Sequence, residues 1–189
     1  MKRIKISIVS ILGVILLAAA ALAIAGLGAD ANRLTSSLVI RQKPAAIWPW
    51  LYQSDKVKQW VSWLVEVRED GVGEPVPGGK SVWVMEDRNN NNARMEITGV
   101  VDAVEPHRKL AVSLQAPEGF HGTSTYTLTE QRDGSTLLVS DSRYTFESGL
   151  VRFMSPLVIW QAKKKLMADM LHLQALVETR PSLLTHLHR

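Results

Sequence analysis

Residues 150–178, LVRFMSPLVIWQAKKKLMADMLHLQALVE, decide the fold. Ile159, Ala162, Leu166, Met170, Leu173 and Val177 recur at +3, +4, +4, +3 and +4, a spacing that lines them up on one side of a single long helix. The helix is expected to end before Pro181, which cannot continue it. Ahead of it, from residue 62 to residue 146, the chain reads as one strand after another. A sheet that buries one face needs cover, and this helix is the only element large enough to supply it. The sheet must therefore curl around the helix.

Working back from the helix, the alternation is sharpest in residues 122–129, GTSTYTLT. Thr123, Thr125, Thr127 and Thr129 take one face, and Ser124, Tyr126 and Leu128 the other. Threonine favours strands and tolerates water, so the threonine face should be outside. Asp133-Gly134 supplies a hairpin turn into a last strand, 135–146. Upstream, 109–115 is a strand with Leu110, Val112 and Leu114 inward, after a turn at 105–108. Residues 93–104 form a long strand with Met95, Ile97 and Val101 opposite Arg94, Glu96 and Thr98. Asn89–Asn92 is a turn of residues that accept left-handed backbone. Residues 80–88 are a strand, 71–79 a Gly- and Pro-rich loop, and 62–69 a strand with Trp63, Val65 and Val67 on one side. At the front, 34–42 is a strand with Leu38 and Ile40 on one face. Pro44 suits the first turn of a helix that Pro49 ends or kinks, and Ser54 is an N-cap for a second short helix, Asp55–Trp60.

The composition holds two different segments. The net charge of +4 includes +2 from Lys2, Arg3, Lys5 and Asp30, which leaves about +2 for the rest of the chain. No basic face interleaved with aromatics stands out, and Lys163–Lys165 reads as a solvated helix face, so nucleic acid is not expected as a partner. The chain has no cysteine, which excludes thiol chemistry, disulfides and Cys-type zinc sites. Between Lys5 and Asp30 there is no charge. As a helix, Ile6–Ala29 would be roughly 36 Å long, enough for a hydrocarbon core of roughly 30 Å. With Lys2, Arg3 and Lys5 on the cytoplasmic side, the rest of the chain would lie across the membrane. The competing reading is a cleaved signal, with small residues at Ala23-Ile24-Ala25 or Ala29-Asp30-Ala31; the apolar run is longer than such signals usually carry. The expected division is a membrane segment or signal, 1–31, one domain, 32–180, and a polar tail, 181–189. The domain would be extracytoplasmic and tethered, or secreted if the first segment is cleaved.

Seven pieces in this order resemble the START-like, or SRPBCC, superfamily, most closely its polyketide cyclase/dehydrase branch. They are Ile40–Trp48 (IRQKPAAIW), Val57–Trp60, Met95–Ile97, Val104–Leu110 with its Glu105-Pro106 turn, Tyr126–Leu128, Gly134–Thr136 and the helix Lys165–Glu178. Together they span about 145 residues. The resemblance implies an α+β helix-grip fold: a curled antiparallel sheet of about seven strands around the C-terminal helix, with a cavity for an apolar or lipid-like molecule. The superfamily includes lipid carriers, receptors, cyclases and chaperone activators, so fold alone leaves the activity open. The N-terminal apolar segment departs from its better-studied members.

Pockets for apolar ligands are lined by aromatic and methionine side chains with few polar groups. The same residue types also build ordinary cores. The candidates for such a cavity are Trp63, Trp83, Met95, Ile97, Tyr126, Leu128, Trp160 and Met167. Asp141 and Arg143 share one face of a strand and join the candidates as a pair that would orient a polar head if that face is inward. If it is outward they are a surface pair. His107 and His121 read as surface residues, and His186-x-His188 lacks the further ligand a metal site needs. No nucleophile elbow, phosphate loop or zincin motif is present in the sequence. No cofactor is implied. The expected function is a membrane-tethered module that binds a hydrophobic small molecule or lipid. The alternatives are a cyclase/dehydratase-type enzyme using Tyr126, Asp141, Arg143 or His121, and a ligand-free interaction domain.

Overall fold

The computed structural model describes residues 32–69, 73–87 and 91–179. The run Ile6–Ala29, the tail from residue 181 with His186 and His188, and residues 88–90 of the asparagine turn lie outside the described residues. The elements are β1 (Arg33–Ile40), α1 (Pro44–Ile47) running into a 3-10 turn (Trp48–Leu51), α2 (Ser54–Trp60), β2 (Leu64–Glu69), β3 (Lys80–Asp87), β4 (Ala93–Glu105), β5 (Lys109–Ala116), β6 (Phe120–Glu130), β7 (Thr136–Phe146) and α3 (Gly149–Thr179). The seven strands form one sheet in the order β1-β7-β6-β5-β4-β3-β2, antiparallel throughout. The expected α+β architecture, a seven-stranded sheet with a long C-terminal helix, is the one observed.

Side-chain alternation assigns the faces. On β7, Thr136, Leu138, Ser140 and Ser142 are buried under α3, while Asp141 and Arg143 between them point outward. Opposite them on β6, Ser124 and Leu128 are buried and the threonines face out. The Ser124 and Ser142 hydroxyls bond each other at 2.8 Å, which satisfies two buried polar groups at once. Asn91 and Asn92 both adopt left-handed backbone (φ 49° and 55°), the conformation expected of that turn.

Two local expectations change. β2 begins at Leu64, and a register slip between Leu64 and Glu66 puts a bulge at Val65. Trp63 and Val65 therefore do not continue the face of Val67. Ser54 is the first helical residue of α2 and not its cap. The Gln53 carbonyl takes the Lys56 and Val57 N–H groups instead, at 2.9 and 2.8 Å. A second slip, between Val101 and Ala103, brings Val104 inward opposite Leu110, and the outward Asp102 carboxylate accepts the Ser113 hydroxyl at 2.7 Å.

Helix α3 runs parallel to β1. The Ser36 hydroxyl lies 3.8 Å from the Met167 sulfur, Gln174 Nε2 donates to the Val39 carbonyl at 2.8 Å, and the Arg41 N–H donates to the Glu178 carboxylate at 2.8 Å. The core lies beneath the C-terminal half of α3. Ile40, Ile47, Leu138, Met170 and Leu173 are all 0% exposed there, joined by Trp48, Trp60 and Leu128. Each such aliphatic side chain stabilises the fold by about 1.5–3 kcal/mol relative to exposure. The Trp60 indole stays satisfied inside by donating to the Trp50 carbonyl at 2.8 Å. Among the described residues no helix is long and apolar enough to cross a membrane.

Candidate functional site

The helix covers the sheet unevenly. It packs chiefly on β1, with smaller contacts on β7 and α2. The inner face of β3–β5 is consequently half-buried: Trp83, Ile97, Val101, Val112 and Leu114 all keep partial exposure, and Met95 is 43% exposed. Gly99 belongs to this face and keeps its floor low, because a Cβ there would come within 3.4 Å of Val112.

A cleft of about 350 Å³ opens over this face, within the range of small-molecule sites. Trp83, Val101, Leu110 and Val112 form its floor, and Leu51 and Tyr52 from the end of the 3-10 turn close one side. The loop Gly73–Gly79 forms the rim. It is tied to β4 by Gly78 N–H to the Val101 carbonyl (2.8 Å) and Val101 N–H to the Gly79 carbonyl (2.9 Å). The Trp83 indole donates to Ser81 Oγ at 3.0 Å, which fixes its ring against the floor. Charge is confined to the mouth, where Glu69, Glu74 and Lys80 stand. Burial, with Glu74 nearby, raises the Tyr52 phenol above its ordinary pKa, so that hydroxyl stays neutral and able to donate. The arrangement can hold an apolar body with a polar group at the rim.

Two other depressions are less suited. One of about 580 Å³ lies at the hairpin ends, where Lys43, Glu105, Arg108, Lys109 and Glu130 surround Pro44, Ala45 and Leu128 with charge. The other, of about 390 Å³, lies on the outer face among Thr98, His121, Thr123 and Arg143.

The sequence candidates are distributed as follows. Trp83 lines the cleft, Ile97 pairs with it on the same face, and Met95 lies beyond at the more open end of that face. Tyr126 is on the inner face opposite Leu110, and burial pushes its hydroxyl pKa far above the ordinary phenol value. Leu128 is core. Trp63 packs under the Lys165 ammonium, 4.3 Å from its ring centre. Met167 receives the Ser36 hydroxyl on the β1 side of α3, away from the cleft, and Trp160, two turns earlier on that side, is 54% exposed. Asp141 and Arg143 face outward, since no bulge interrupts β7 to turn them in. Asp141 is held by Arg33 Nε and Nη2 at 2.8 and 2.9 Å and by Thr35 at 3.0 Å. These bonds, Arg33 first, hold its carboxyl below the usual range. His121 shares the outer face, 3.3 Å from Glu147. Tyr126 is thus separated by the sheet from Asp141, Arg143 and His121, and those four do not form a catalytic group. Among the described residues no cluster of three metal-ligating side chains occurs.

Sequence reasoning did not single out Leu51, Tyr52, Val101, Val112 or the loop Gly73–Gly79 as cleft residues. The inward alternation of Val101 and Val112 was visible, but whether an inward face is covered is a tertiary property.

A family model, Activator of Hsp90 ATPase homolog 1-like protein, matches residues 41–155, more than half of the chain. The chain belongs to this family. The Activator of Hsp90 ATPase homolog 1-like family is part of the SRPBCC superfamily, so the superfamily resemblance stands, with this branch in place of the polyketide cyclase/dehydrase one. Solved structures share the fold. A Chromobacterium violaceum protein is 14% identical with a TM-score of 0.60, covering 79% of this chain and 99% of its own. A Rhodobacter sphaeroides protein is 20% identical with a TM-score of 0.58, covering 78% and 92%. DynU16, of the dynemicin biosynthetic locus, is 17% identical with a TM-score of 0.56, covering 78% of this chain and 48% of its own. A comparison with curated proteins finds no match. At such identities the likeness is one of fold.

Proposed function

We propose that this domain binds a hydrophobic small molecule or lipid in the cleft between the inner face of β3–β5 and the end of the 3-10 turn, and that residues 32–180 form a domain tethered to a membrane by Ile6–Ala29. The observation that carries the reading is the uneven cover. One half of the inner face is sealed by α3, while the other presents Trp83, Val101 and Val112 to an open, mainly apolar cleft. An apolar surface kept open in this way marks a binding site more often than a packing fault. The charged rim suits a ligand with one polar end. A tether would hold the cleft beside the bilayer, where apolar ligands concentrate.

The test uses the full chain in nanodiscs, loaded with membrane lipid extract and released for native mass spectrometry, alongside titration with cis-parinaric acid. Retention of a lipid and saturable binding are expected. Val112→Trp, which fills the floor, should weaken cis-parinaric acid binding by more than roughly tenfold while the fold persists by circular dichroism. Binding that is absent, or unchanged by Val112→Trp, would overturn the reading.

A further inference from the structure

Helix α3 carries a second apolar stripe that the core does not use. Phe153, Leu157, Trp160, Met167 and Leu171 follow one another at +4, +3, +7 and +4 and are 36%, 40%, 54%, 39% and 52% exposed. They lie about a third of a turn around the helix from Ile159, Met170 and Leu173, on the side from which Met167 meets Ser36 of β1. Around the N-terminal part of this stripe the charges are all of one sign. Arg152, Lys163, Lys164 and Lys165 are basic, and no acidic residue occurs from Gly149 to Ala168. The Lys164 ammonium sits 3.7 Å from the Trp160 ring centre, its stem lying along the stripe.

The place where the chain enters gives the stripe its partner. The Tyr144 N–H donates to the Asn32 carbonyl at 3.0 Å, so residue 32 lies at the end of the sheet from which α3 starts. The pairings of Ser36 with Met167 and Val39 with Gln174 calibrate the two parallel elements against each other. Stepping back from Ser36 to Asn32 is about 13 Å of strand, which equals about nine residues of helix and brings Asn32 level with about residue 158. The turns that hold Phe153 and Leu157 therefore lie at or before the level where β1 begins, at the end of the sheet where Asn32 enters. Only Asp30 and Ala31 separate Asn32 from the apolar run Ile6–Ala29, a reach of at most about 10 Å.

We infer that the N-terminal turns of α3 are a bilayer contact: Phe153, Leu157 and Trp160 enter the interface of an anionic membrane, and Arg152, Lys163 and Lys164 meet its phosphates. Aromatic and leucine side chains on one face with flanking lysines are the chemistry of interfacial helices. The inference rests on the tether in the proposed function for its geometry, and the experiment separates the two.

Because the natural chain has no cysteine, Leu157→Cys in the full chain can be labelled uniquely with an environment-sensitive NBD fluorophore. Thr129→Cys on the outer sheet face is the control. Each labelled chain is mixed with phosphatidylcholine vesicles, with or without phosphatidylglycerol, containing brominated lipid. Flotation that resists alkaline wash with either vesicle reports the tether. Blue-shifted, bromine-quenched emission at position 157 but not at 129, strengthened by phosphatidylglycerol, reports the contact. Lys163→Gln and Lys164→Gln should each shift the buried-to-exposed ratio of the label roughly fivefold toward exposed. A chain that floats while the label at 157 remains aqueous in both vesicles overturns the contact and leaves the tether intact. A chain that floats only with phosphatidylglycerol, with label 157 quenched, keeps the contact and removes the tether. Cysteine cross-linking of label-free Leu157→Cys between two chains, without lipid quenching, would assign the stripe to a second copy and overturn the inference.

Discussion

The β1–β7 side of the sheet and the β3–β5 side are built from the same alternation and meet different neighbours. On the first, Ile40 and Leu138 lie beneath α3 at 0% exposure, and Gln174 and Glu178 tie the helix to the β1 backbone. On the second, Trp83, Ile97 and Val112 have equally apolar side chains and stay half-buried, with Trp83 and Val112 lining a cleft. Position under the helix, and not side-chain type, separates structural residues from candidate binding residues here.

Mutations can break that contrast at different depths. Leu173→Ala, in the sealed half, should cost about 3 kcal/mol in denaturant unfolding, whereas Ile97→Ala in the open half should cost about 1 kcal/mol or less. Equal costs would mean that the open half is as tightly packed as the sealed one. Next comes Gly122, over which Tyr144 lies. A Cβ at that position would stand 2.6 Å from the ring, which also stacks on Phe120 at 5.5 Å between centres. Gly122→Ala should lower stability by about 1–3 kcal/mol, and the loss should shrink in the double variant with Tyr144→Ala.

Smaller effects come from two carboxylates with opposite pH signatures. Asp169, at the α3–Ser62 contact (2.7 Å), is pushed above the usual carboxylate range mainly by burial. Its native form binds protons more tightly than the unfolded chain, so its ionisation costs stability at neutral pH and that cost fades as pH falls through the raised value. Asp169→Asn should therefore raise the thermal midpoint near pH 7 and lose the advantage in acid. Asp141 behaves in reverse. Its depressed carboxyl stabilises the fold above the ordinary carboxylate pKa, and the contribution disappears as pH falls through the depressed value. Removing its partner with Arg33→Ala should cost the least, about 0.2–1 kcal/mol at neutral pH, because the pair is partly exposed.

The architecture was legible because its signals are periodic. The threonine face of β6 and the Ile159–Val177 stripe of α3 each repeat enough to overrule single-residue noise. The bulges at Val65 and Asp102 were not legible, because a one-residue slip leaves composition unchanged and moves every later side chain to the other face. That is why Trp63 and Val65 seemed to share a face with Val67. The orientation of Asp141 and Arg143 was open for a related reason: Leu137 and Val139 share their outward face, and Leu138 and Tyr144 the inward one, so hydrophobicity alone does not vote. Trp160 and Met167 belong to a helix with apolar residues on two sides. Periodicity identifies both stripes but does not say which of them meets the sheet.

The register of the first strand has a consequence for the order of assembly. Arg33 and Asp141 are 108 residues apart in the chain, whereas the five other strand pairings join neighbours in sequence. Closing that long loop is entropically slow compared with zipping adjacent hairpins. Strands β2 to β7 should therefore gather first, with β1 and the helix that clasps it locking afterwards. Refolding kinetics should show Leu34→Ala accelerating unfolding while barely altering the folding rate, and a folding rate slowed in proportion to the lost stability would place β1 in the nucleus instead.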